Sequence, residues 1–169
     1  MRKVTSVILT AVLLISSTGM TGCMRARKRW YKATLQYYSD GVNNGFTKEY
    51  SNLYVPDELK NKYIKSGYLL YDLDGDGIEE LLIGMIDDGN YTKFTNVIIN
   101  RRGSGPDCVI SGTNGYYVYL CAGNVLRVDS PRGSSTEKEY LKYDSKNNSF
   151  LVIDGEGKYL PMKWELTEF

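Results

Sequence analysis

The chain has 169 residues with 42% hydrophobic and 24% charged side chains, enough for one modest folded domain and too apolar for a disordered one. There is no histidine, which removes Ser-His-Asp and Cys-His catalysis and the commonest transition-metal ligand. A net charge of +1 gives no basis for nucleic-acid binding.

The first elements belong to targeting. Arg2 and Lys3 precede an apolar run, Val7 to Ile15, that is too short to span a membrane comfortably. Met20-Thr21-Gly22-Cys23 follows, and the segment resembles the lipobox of bacterial lipoproteins. That resemblance implies cleavage after Gly22 and lipidation of Cys23, with Met20 standing where leucine is usual. Residues 1–22 then form a signal peptide, 23–29 a basic linker and 30–169 a single domain. Removing the leader takes two of the 21 basic side chains and none of the 20 acidic ones, leaving 147 residues at net −1. Arg25, Arg27, Lys28, Arg29 and Lys32 come before the first acid, Asp40. Beside an anionic membrane each contributes about 1 kcal/mol. The same cluster also reads as a solvated linker.

The body begins with a helical pattern over 27–39, in which Tyr31, Leu35 and Tyr38 share a face. Asp40-Gly41 and Asn43-Asn44-Gly45 end it. Pro56-Asp57-Glu58 starts a second helix, with Leu59, Tyr63 and Ile64 as its core face and Gly67 as its stop. From Tyr68 the texture becomes strand-like, with runs at 68–71, 81–86, 92–100, 116–121, 124–129, 137–144 and 149–154. Turn signals at Asp87-Asp88-Gly89-Asn90, Ser104-Gly105-Pro106, Asn114-Gly115, Ser130-Pro131-Arg132-Gly133 and Asn147-Asn148 separate them. The fold class is therefore α+β: one or two N-terminal helices on an antiparallel β-meander containing a loop hairpin. The 15 tyrosines read as half-buried sheet faces, or as aromatic platforms for sugar or peptide. Cys108 and Cys121 allow a disulfide in an exported chain, or remain as two buried thiols.

The sharpest motif is Asp72-Leu73-Asp74-Gly75-Asp76-Gly77-Ile78-Glu79-Glu80. Carboxylates on alternate positions and glycines between them suit a hard cation held by oxygen. An EF-hand fits poorly, because its twelfth position, which needs a bidentate glutamate, is Ile83. The run resembles instead the Asp-x-Asp-x-Asp-Gly-x-x-Asp/Glu loop of integrin-type (FG-GAP) calcium sites, with glutamate at the last position. The resemblance implies Ca²⁺ held by Asp72, Asp74, Asp76 and Glu80 side chains and the Ile78 carbonyl, with Glu79 turned away. Tyr71 to Gly84 also looks like a segment of uncharacterised secreted lipoproteins of Gram-positive anaerobes, a group that implies location and calcium but no activity. Without metal, the run is an acidic turn of mutually repelling carboxylates.

Taken together, these features suggest a lipid-anchored calcium-binding module on the outer face of a bacterial membrane, meeting a glycan, peptide or protein. No catalytic signature is present. Two other functions compete: a glycan hydrolase using paired carboxylates among Asp129, Glu137 and Glu139, and a small inhibitor or immunity lipoprotein.

Overall fold

The computed structural model describes residues 31–101, 105–112 and 115–169. The leader, Cys23 and the linker lie outside the described residues. Among the described residues, helix α1 (Lys32–Asn44) and a single turn, α2 (Asp57–Lys60), precede nine strands. These are β1 (Ser66–Tyr71), β2 (Glu80–Met85), β3 (Lys93–Arg101), β4 (Gly105–Ser111), β5 (Tyr117–Cys121), β6 (Val125–Arg132), β7 (Ser135–Asp144), β8 (Ser149–Ile153) and β9 (Thr167–Glu168). They form one antiparallel sheet in the order β8-β7-β6-β5-β3-β2-β1-β9, with β4 also paired to β3. The expected α+β meander is what the chain builds.

β2 (ELLIGM) is buried along its whole length because it is covered on both faces. Alternation sends Leu81 and Ile83 to one face and Leu82 to the other. On the first face they meet Tyr31, Tyr38, Leu59 and Ile98, with Leu35 packed alongside, so the helical stripe read from the sequence is the surface that docks. Tyr38 is fully buried and its hydroxyl donates to the Tyr54 carbonyl at 2.7 Å, which satisfies its polar end. The opposite face joins Leu82 to Leu73, Phe94, Val97, Ile99, Val118, Leu120, Leu126, Leu141 and Tyr143, with Trp164 and Leu166 packed against it.

α1 runs through Asp40-Gly41 and stops only at Gly45, whose φ of +91° suits glycine. The second helix is much shorter than expected. The Asn61 side chain accepts from the Tyr63 N–H at 3.0 Å, offering the backbone a turn in place of a further helical bond. Tyr63, expected in the core, is 85% exposed. Gly67, expected to stop that helix, lies inside β1, where a Cβ would meet the Thr167 carbonyl oxygen of β9 at 2.4 Å.

The turn signal at 104–106 conceals β4, an edge strand that tolerates Pro106. Its outer side meets the loop after α1, where Cys108 N–H donates to the Asn52 carbonyl at 2.9 Å. β6 likewise continues through Pro131 and Arg132, past the last β5 partner.

Cys108 and Cys121 are both free, which corrects the disulfide alternative. Cys108 pairs with Ile98, whereas β5 meets β3 at Phe94↔Val118 and runs on from there in the opposite direction. The register offset amounts to roughly seven residues, or about 23 Å along the strand. A disulfide requires Cα atoms within about 7 Å.

Candidate metal centre

The acidic loop joins β1 to β2, with Tyr71 opposite Glu80 as the pair that closes the hairpin. Gly75 and Gly77 have φ of +79° and +84°, a left-handed backbone that side chains resist, and these two positions curl the loop. Between two carboxylates, Leu73 is completely buried in the main core and fixes the loop to the sheet.

One carboxylate oxygen each from Asp72, Asp74 and Glu80 lies within 4.8 Å of the others. Each is held by backbone donors. Asp72 accepts from Gly75 N–H and Gly77 N–H, both at 2.8 Å. Glu80 accepts from Leu73 N–H at 2.8 Å. Asp74 accepts from Asp76 N–H at 3.2 Å and, across the molecule, from Ser145 N–H in the β7–β8 turn at 3.1 Å. Of the other residues read from the sequence, Asp76 is exposed and accepts from Ile78 N–H at 2.7 Å. Neither Asp76 nor Glu79 joins the group of three. Ile78 is half-buried in the same loop.

Glu80 is only 5% exposed. Burial pushes its carboxyl up to about 8, opposed by the Leu73 N–H and reinforced by the charges of Asp74, Asp76 and Asp72. Without a cation the group thus retains a proton that an ordinary carboxylate loses. Three converging oxygens, one on a buried carboxyl whose charge needs compensation, fit a metal ion.

Two supporting residues, Tyr71 and Asn124, carry no acidic signal. Asn124 accepts from Tyr71 OH at 2.7 Å and donates to the Asp72 carbonyl at 3.2 Å. It sits in the β5–β6 turn with φ of +61°, after Gly123 at +75°. Two successive positive φ values mark a tight hairpin turn, and the Gly-Asn dipeptide was the sequence signal for it.

Of the carboxylates proposed for hydrolysis, Asp129 does not face Glu137 or Glu139. Asp129 is paired with Arg127 through Nε–Oδ1 at 2.8 Å. Glu137 meets Arg132 at 2.9 Å. Asp129 lies opposite Lys138, so Glu137 and Glu139 point to the other side of the sheet. Elsewhere, a cleft of about 350 Å³ lies between α1 and the loop after it, and half-exposed Tyr50 and Tyr54 contribute to its walls.

No family model matches the chain, and comparison with curated proteins and with solved structures gives no significant match. No described helix is long and apolar enough to cross a membrane.

Proposed function

We propose that this chain is a lipid-anchored, calcium-binding module of the bacterial cell surface that serves recognition rather than catalysis. The convergence of Asp72, Asp74 and buried Glu80 carries the calcium reading. The donor set is oxygen alone, which favours a hard cation. Asp76 and the Ile78 carbonyl complete the set by resemblance to integrin-type loops. Calcium there neutralises the turn and fixes the β1–β2 hairpin. The anchor rests on Gly22-Cys23 behind the apolar run. The partner is a surface glycan, peptide or protein, for which the cleft beside Tyr50 and Tyr54 offers a seat.

Calcium titration followed by calorimetry and thermal melting tests the reading. A ligand that binds only the folded state adds about 2.7 kcal/mol at 100 times its dissociation constant. The melting temperature should rise with calcium, rise less with magnesium and fall with chelator. Asp74→Ala should remove the response and Glu79→Ala should keep it. A folded protein that gives no heat and no shift in millimolar calcium would refute the site. For the anchor, a purified chain without added mass on Cys23 would refute lipidation.

A further inference from the structure

β8 (Ser149–Ile153) ends the sheet, and among the described residues no strand covers its outer edge. Edge strands are commonly blunted by lysine, proline, an inward charge or a bulge. SFLVI has no charge and no proline, and it pairs with β7 without a register break. Leu151 and Val152, consecutive and therefore on opposite faces, are 51% and 67% exposed. The edge thus offers the outward-pointing backbone donors and acceptors of alternate residues, with apolar side chains above and below.

The flanks carry opposite charge. Exposed Lys146 precedes the strand by the same interval from Leu151 at which exposed Glu156 follows it. Asp154 is already paired with Lys158, which leaves Glu156 as the free acid at that end.

We propose that β8 pairs antiparallel with β8 of a second copy of this chain, about a two-fold axis at Leu151. In that register Leu151 meets Leu151 of the partner, Phe150 meets Val152, and the Lys146 end of each strand faces the Glu156 end of the other. A parallel arrangement would set like charges together. The two-fold makes the contact self-complementary and closed, so it forms a dimer and does not propagate. Its affinity comes mainly from main-chain hydrogen bonds, as in other strand additions.

The test is sedimentation equilibrium of the full chain in density-matched detergent, with Cys23→Ala removing the lipid site. The wild-type sequence should show concentration-dependent dimer. Leu151→Lys should be monomeric at every loading, with unchanged circular dichroism, while Tyr63→Lys should behave as wild type. Lys146→Glu and Glu156→Lys should each weaken association severalfold, and the double reversal should restore it. Should Leu151→Lys fail to fold, Leu151→Cys should still cross-link to itself under mild oxidation where Tyr63→Cys does not. A monomeric wild type, a dimer indifferent to Leu151→Lys, a double reversal without rescue, or a monomer that captures extended peptides along β8 would each overturn the proposal.

Discussion

Glu80 shows how one side chain ties the candidate metal centre to stability. Its carboxyl is raised to about 8 in the folded chain, above its ordinary 4.5, chiefly by burial. Between those values the calcium-free folded state holds a proton that the unfolded state has lost. Stability must therefore fall as pH rises across that window and level off above about 8. Glu80→Gln should flatten this slope in denaturation measurements made in chelator. Calcium needs the ionised carboxylate, so binding near pH 7 should expel about one proton. Calorimetric titrations in two buffers of different ionisation enthalpy read that proton directly. Identical heats in both buffers would contradict the role given to Glu80. Asp72 carries a second burden, because its two oxygens hold Gly75 and Gly77 N–H. Asp72→Ala should therefore cost about 1–3 kcal/mol even without calcium, whereas Glu79→Ala should cost little.

At the scale of elements, α1 docks through aromatic side chains whose polar tips need partners. Tyr38→Phe removes the donor to the Tyr54 carbonyl, and chemical denaturation should show a loss of about 1 kcal/mol with unchanged cooperativity. This contact also marks how far the sequence could be read. Tyr31, Leu35 and Tyr38 declared their shared face by spacing, and the apolar run at 81–86 declared a strand, whereas its burial on both faces came from the structure. β4 was hidden because Gly105 and Pro106 look like a turn, and only pairing with β3 makes an edge strand of them. The second helix failed for the opposite reason, since Pro56-Asp57-Glu58 is a sound start that Asn61 ends after one turn. In the acidic loop, alternation showed the acids. It could not show that Asp76 stays exposed, nor that Asn124 and Ser145 arrive from distant turns to hold the Asp72 carbonyl and the Asp74 carboxylate.

The whole molecule is closed by its C-terminal segment. Met162 N–H donates to the Leu120 carbonyl at 3.1 Å, Trp164 Nε1–H donates to the same oxygen at 3.1 Å, and Thr92 exchanges hydrogen bonds with Trp164. β9 then reaches β1, and Phe169 N–H donates to the Ser66 carbonyl at 3.2 Å while its ring packs near Tyr38 and Tyr68. Gly67→Ala should push β9 away and lower the melting temperature, because the added methyl has backbone, not a movable side chain, in front of it. An unchanged melting temperature would show that β9 contributes nothing to the fold.

That closure sets an order in time. β1 is the first of the described strands to be synthesised, yet the partner for its outer edge, β9, is the last of them. During synthesis the hairpin that carries the acidic loop therefore has an unsatisfied border, open to pairing with other nascent chains, until β9 has emerged. Native closure, with its long sequence separation, is a slow and late event. Calcium that seizes the hairpin early would not hasten it, because Gly67 still has to wait for Thr167.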